Sequence, residues 1–336
     1  MKDISTRKHL QMVNDGEIGM NINVKEICDA TVKNYRYAVQ NLRYDGDYIN
    51  HFSALLNGYY NKNIPYNEVK EVRGYIKKHT SKMSVFRGDM LYILSFLICA
   101  AEENNIQMSD DILEIFDILI DEGFRECEYL VLAAFSIARY IDKDERAVTV
   151  KRIRHIFNII KQKYGNLTKE DDYLLCTLLA INGLEFDCMT EYMDFIFNYM
   201  HDLKLFSNNG IQCLTNSILL NSNENTPDKV SKLLIALERS DLKIGYQFLQ
   251  LLGVMVEEQD IEKSIRNIKE VIEYLCDEES EYSFYIDKDF RNMIAFVIAF
   301  KESGTNKNKY VDELLAFGTY SFLVSKNQGI LNEVLA

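Results

Sequence analysis

The sequence predicts an all-α protein made of stacked antiparallel helix pairs, a HEAT-like α-solenoid or α-α superhelix, with an irregular helical bundle as the alternative arrangement. Three observations carry this. Only two prolines and fifteen glycines punctuate 336 residues, too few for a chain of short strands and tight turns. Apolar residues recur at i, i+3, i+4 and i+7 along most of the length. No stretch alternates apolar with polar residues as a strand would, and no hairpin dipeptide separates two apolar runs.

Residues 1–24 are polar and are expected to be loosely ordered. Residues 25–82 read as an N-terminal helical cap, with helices over Val24–Arg43, Tyr48–Tyr60 and Asn67–His79. Pro65 ends the loop between the second and third of these. Residues 83–336 read as a helix-hairpin repeat domain continuous with the cap. Its first pair joins the longest apolar run, Met90–Ala101, to a helix that starts at Ser109-Asp110-Asp111, a hydroxyl and two carboxylates suited to a positive helix end. The second pairs Tyr129–Ile137 with Ile153–Ile160. The third starts at Thr168-Lys169-Glu170-Asp171, a box-like cap, and pairs Leu174–Leu179 with Met189–Met200.

The fourth pair sets Ile211–Leu219 against a helix opened by Thr226-Pro227-Asp228, with Pro where its missing N–H costs nothing. Tyr246–Leu252 with Ile261–Leu275 and Phe290–Val297 with Val311–Leu315 complete the series, the last across the polar loop Ser303–Lys309. Units of roughly 35–45 residues match helix-hairpin repeats, in which each hairpin must bury its apolar face on a neighbour.

Charge and cysteine content narrow the function classes. With 38 basic and 51 acidic residues the net charge is −13 and no basic stripe offsets it, so nucleic acid is excluded as a partner. Seven scattered cysteines without a CxxC read as reduced, buried small residues, neither disulfides nor metal ligands. The longest apolar run is well short of the ~20 residues a membrane span needs, and the first residues lack a signal-peptide core. A cytoplasmic location is therefore expected, with no membrane, metal or cofactor.

From about Tyr35 onward the chain resembles a family of uncharacterised proteins of Gram-positive (Firmicute) bacteria, a domain of unknown function nearly as long as this chain. The likeness lies in Tyr75-Ile76-Lys77-Lys78 with Ser84-Val85-Phe86-Arg87, and in Gly123-Phe124-Arg125 before Tyr129–Ala134. It continues in Leu167-Thr168, Asp171-Asp172 and Leu178-Leu179-Ala180, then in Asn209-Gly210, Gln212 and Leu214. Asn216 stands where that family is expected to carry a His, so no histidine chemistry is implied there. The resemblance implies no activity, substrate or cofactor.

No phosphate loop, HExxH, GxSxG or EF-hand spacing is present, and the five histidines look like separate, exposed positions. Arg87 enters an apolar helix, where a cation opposes the dipole unless paired. A carboxylate such as Asp89 would make it a structural clamp, and otherwise it would hold an anionic ligand; Arg125 poses the same choice. Asp171 and Asp172 read first as helix caps, with cation binding or acid–base work as the alternative. Asn208-Asn209-Gly210 and Gln212 open a helix by N-capping or offer an amide site. Asp277–Glu281 reads as a solvated turn, and Met189, Met193 and Met200 as core.

The expected function is that of a cytoplasmic helical-repeat protein binding a protein or peptide. The alternative is an enzyme or small-molecule sensor with an anion site between helices, built from Arg87, Arg125, Asp171, Asp172 and Gln212.

Overall fold

Every second helix is apolar on all sides, and such a helix must be covered all round. In a computed structural model, residues 20–101, 104–183, 186–205, 207–221, 226–256, 260–301 and 309–335 are described, and among them there is no strand. The helices covered on nearly all sides beyond their first turns are α2 (Asp47–Tyr59), α4 (Asp89–Ala100), α6 (Glu128–Tyr140), α8 (Tyr173–Asn182), α10 (Asn208–Leu219), α12 (Leu249–Met255) and α15 (Lys288–Ala299). Their burial is nearly continuous: Leu130–Ala138 in α6 and Tyr173–Ala180 in α8 are buried at every position.

Between them run one-sided helices: α1 (Ile22–Asn41), α3 (Tyr66–His79), α5 (Asn105–Asp121), α7 (Arg146–Tyr164), α9 (Phe186–Asp202), α11 (Thr226–Arg239) and α13 (Ile261–Glu278). Helix α3 buries only Val69, Val72, Arg73 and Ile76, a single stripe. The result is two layers. Helices α2, α4, α6, α8, α10 and α12 each touch the next as an inner layer, and α3–α5–α7 and α9–α11–α13 follow outside.

The layers come round on themselves. Outer helix α1 packs on α13 and α15. Tyr48 of α2 meets Phe290 of α15 with ring centroids 5.0 Å apart. Across the same seam Arg36 binds Glu279 at 2.9 Å, and Tyr274 donates to Asp29 at 2.5 Å. The last helix, α16 (Val311–Leu335), has its main contacts with α2, α4, α6 and α12, so it runs along the inside of the inner layer. Helices do pair, but one helix out of step with the expected hairpins. The close pairs join each outer helix to the inner helix after it, α1–α2, α3–α4, α5–α6, α7–α8 and α9–α10, and the N-terminal cap also closes on the C-terminal helices.

Two glycines set how closely neighbouring helices approach, one within the inner layer and one between the layers. A Cβ on Gly253 of α12 would lie 2.2 Å from Ser217 Oγ of α10, and one on Gly58 of α2 would lie 2.3 Å from Thr31 Oγ1 of α1. Neither position has room for a side chain.

Several local expectations are corrected. Helix α5 starts at Asn105, with the Asn104 side chain accepting from the N–H groups of Ile106 and Gln107. Ser109 is one turn inside and donates back to Asn105 O, leaving Asp111 free to pair with Arg146 at 2.5 Å. The cap of α10 is Ser207, ahead of Asn208. The run Asp277–Glu281 is solvated as expected, with Asp277, Glu278 and Ser280 exposed, but it is helical, not a turn: α13 reaches Glu278 and a short helix, α14 (Ser280–Phe284), follows at once.

His51 is also not exposed. It is 1% accessible, stacked on Tyr35 at 4.1 Å, and burial lowers its pKa to about 3. His79, His155 and His201 are exposed as expected, and Met189, Met193 and Met200 are core. The first nineteen residues and the loop 302–308 lie outside the described residues, as does most of the segment expected to be loosely ordered.

Candidate functional site

Inner helices are separated by one antiparallel outer helix each, so their first turns share one end of the molecule. The turn before α8 begins there, and four of the five residues singled out in the sequence meet at it. Asp172 is 2% accessible. Its Oδ2 accepts from the backbone N–H of Lys169 at 3.0 Å and from the Gln212 side-chain amide of α10 at 3.2 Å. The same amide donates to Thr168 Oγ1 at 3.1 Å. The cap is thus built one residue later than expected, by Asp172 rather than Asp171.

No cation reaches Asp172. Desolvation, and then the neighbouring Asp171 charge, push its pKa up to about 8 against the two N–H donors that favour the carboxylate. The group is therefore a neutral acid near neutral pH. Asp171 is raised as well, chiefly by burial, and its Oδ1 is buried with no hydrogen-bond partner.

Further along the same helices the polar groups continue. Asn216 lies one turn beyond Gln212 on the same side of α10; it is wholly buried and neither amide atom has a partner. The carbonyl oxygens of the Gln212 and Gln250 side chains are likewise buried and unpartnered. Cys176 of α8 and Cys213 of α10 border the cluster, and both thiols are held up chiefly by desolvation, then by the charge of Asp172. Native interiors leave few such atoms unpaired. Among the described residues others of this kind, such as Asn50, Asn292 and Thr319, are spread over the fold, but Asp171, Gln212, Thr215, Asn216 and Gln250 lie on the turn before α8 and on α10 and α12.

The rim of this end is acidic and aromatic. Tyr129 at the start of α6 lies 3.2 Å from Ser321 Oγ of α16 and stands edge-on to Tyr320, with centroids 5.4 Å apart. Burial raises both phenols; the Asp171 charge adds to the shift of Tyr129, and Glu128 and Asp89 add to that of Tyr320. The first turns of α4, α6 and α8 therefore each bring a carboxyl to this part of α16.

The arginines do not join it as ligand-holding cations. Arg125 is exposed and pairs with Glu170 at 2.5 Å, the clamp form of the two readings. Arg87 is elsewhere and clamps no carboxylate among the described residues. Its guanidinium donates to the carbonyls of Ser81, Lys77 and Thr80 at 2.9, 2.7 and 2.6 Å, closing the C-terminal end of α3. Arg87→Ala should fray that helix end at a cost of about 1–2 kcal/mol. Hydrogen exchange would show it as lost protection over residues 76–80, and unchanged protection there would refute the clamp.

One charged centre escaped the sequence reading. At the far end of α16, Arg139 of α6 reaches Asp312 at 3.0 Å and Glu313 at 2.9 Å, and the Tyr60 hydroxyl lies 2.8 Å from both Asp312 oxygens. Glu313 is wholly buried, and desolvation raises its pKa to about 7 although Arg139 opposes the shift. Arg139 looked like an ordinary basic residue at a helix C-terminus, and its partners stand more than 170 positions away. No group of His, Cys, Asp and Glu able to hold a metal ion occurs among the described residues.

Fold and site together define an all-helical protein of layered helix pairs that encloses a buried cluster of carboxyl and amide groups near one end. The chain belongs to the DUF4003 family of proteins of unknown function, whose model matches residues 34–328. No curated protein and no solved structure matches it significantly. Among the described residues no helix is long and apolar enough to cross a membrane.

Proposed function

We propose that this is a cytoplasmic protein that binds a small molecule inside its helical layers, at Asp171, Asp172, Gln212, Asn216 and Gln250. The observation that carries the reading is the set of buried polar atoms without partners on the turn before α8 and on α10 and α12. Leaving such atoms unpaired costs about 1–3 kcal/mol each, a cost a ligand's own donors and acceptors would offset. The six described cysteines are all free, in keeping with a reducing compartment.

A peptide-binding surface has less support. Exposed large apolar residues such as Tyr44, Met83 and Val148 are scattered, and the groups among those described are small: Ile22, Tyr37 and Val39 along α1, Phe195 beside Tyr192 and Tyr199 on α9, and the adjacent pair Phe284 and Tyr285. An anion site also has less support, because Arg87 and Arg125 are each engaged by the protein itself.

Asn216→Leu separates ligand binding from mere packing. It removes two unpaired polar atoms at similar volume, so the variant should be at least as stable as the parent by about 1 kcal/mol. Native mass spectrometry of protein purified from its own cytosol should show a small retained mass in the parent and none in the variant. A variant that unfolds more easily and retains the same mass would sink the reading.

A further inference from the structure

Which chemistry fits this cluster follows from what surrounds it. Its buried unpaired atoms are mostly acceptors: Asp171 Oδ1, Gln212 Oε1, Gln250 Oε1 and Asn216 Oδ1, with Asn216 Nδ2 and the Thr215 hydroxyl as donors. Charge points the same way. Asp172 has no cationic partner, and only Lys169, on the exposed side of the turn, lowers Asp171 by its charge.

Helix first turns favour anions, yet each supplies only about half a positive charge, and the turn before α8 already carries Glu170, Asp171 and Asp172, with Glu128 and Asp89 at the starts of α6 and α4. An incoming anion would meet net negative charge. The rim adds the rings of Tyr129 and Tyr320, edge to face, beside Asp89 and Glu128. Acceptor-rich interiors, uncompensated carboxyls and aromatic faces together are what an alkylammonium needs.

We propose that the cluster receives the ammonium group of an aliphatic amine, held by the Asp171 and Asp172 carboxyls and the Gln212, Asn216 and Gln250 side-chain oxygens, with Tyr129 and Tyr320 at the rim. This deepens the ligand reading above and rests on it. Asp172 is faced by Lys169, Asp171 and Cys176 on its own segment and by Gln212 and Cys213 on α10; Tyr129 of α6, beside Glu128, borders Asp171, and Glu170 and Arg125 pair outside. The nearby cations are Lys169, on the exposed side of the turn, and Arg125, paired with Glu170; neither pairs with Asp172, so an arriving ammonium is the charge that would let it ionise.

Binding near neutral pH should therefore release one proton. Affinity should rise about tenfold per pH unit below pH 8 and level off above it. Butylamine and spermidine are suitable probes, with butanol and butyrate as neutral and anionic counterparts of similar size, all at matched ionic strength. Calorimetry in two buffers of different ionisation enthalpy would count the proton.

The amines should raise the melting temperature of the parent. They should do so much less in Asp171→Asn/Asp172→Asn, while the exposed control Asp241→Asn behaves as the parent. Proton release should vanish in Asp172→Asn. Equal stabilisation by butanol or butyrate, an amine effect unchanged in the double variant, or no response to either amine at millimolar concentration would each overturn the proposal. A retained mass that depends on Asn216 but contains no amine would overturn it too, and would leave the ligand site itself standing.

Discussion

Arg139→Leu should cost the protein about 3 kcal/mol at alkaline pH, the largest loss expected from any single change outside the glycine contacts. The side chain neutralises two carboxylates at the start of α16, one of them wholly buried, and removing it strands both. The figure sits at the low end of the range for broken buried pairs because the Arg139 side chain is 19% exposed.

The loss should depend on pH in a defined direction. Glu313 has a folded pKa raised from 4.5 to about 7, so its contribution is complete below 4.5 and disappears as pH rises through 7. Without Arg139 the pKa rises further, since the arginine charge is what opposes desolvation. Denaturant unfolding of Arg139→Leu should therefore approach parental stability near pH 5 and diverge from it near pH 8. Adding Glu313→Gln should recover part of the loss at the higher pH. Equal destabilisation at both pH values would show that the arginine acts only by packing.

That cluster also marks the limit of what the sequence discloses. Apolar runs such as Met90–Ala101 announce inner helices because burial on every side demands an unbroken apolar surface, and the stripe Val69, Val72, Ile76 announces a one-sided outer helix. Local polar signals are less secure, since several neighbours can supply the same cap. Asn104 outcompetes Ser109, and Asp172 outcompetes Asp171.

Closure of the layers is not encoded locally at all. Arg36 with Glu279, Tyr48 with Phe290, and Arg139 with Asp312 are ordinary helix-surface or core residues until the chain's two ends meet. His51 looked exposed for the same reason, because Tyr35, Tyr282 and Phe290 cover it from α1, α14 and α15. The candidate site was legible at two helix starts, at the adjacent Asp171 and Asp172 and at Gln212, which stands 40 positions from Asp172. It was not legible at Gln250, which α12 brings alongside Cys213.

Asp172→Asn should do the opposite of Arg139→Leu and stabilise the fold as pH rises. The folded pKa of about 8 lies far above the 3.8 of an unperturbed aspartate. Between those values the folded state holds a proton that the unfolded chain gives up, so stability falls by up to about 1.4 kcal/mol per pH unit from this group. Its contribution is whole below pH 3.8 and is lost as pH climbs to 8.

Asparagine keeps an oxygen for the Lys169 N–H and the Gln212 amide and carries no charge to desolvate. The variant should match the parent near pH 4 and exceed it by about 2 kcal/mol or more near pH 8. Urea unfolding at three pH values would show the diverging lines, and parallel lines would refute a protonated Asp172. A carboxyl that weakens the fold at neutral pH, where its own amide would strengthen it, is explained by what it can do with its proton. That is the trade expected of a binding group set into an otherwise apolar layer.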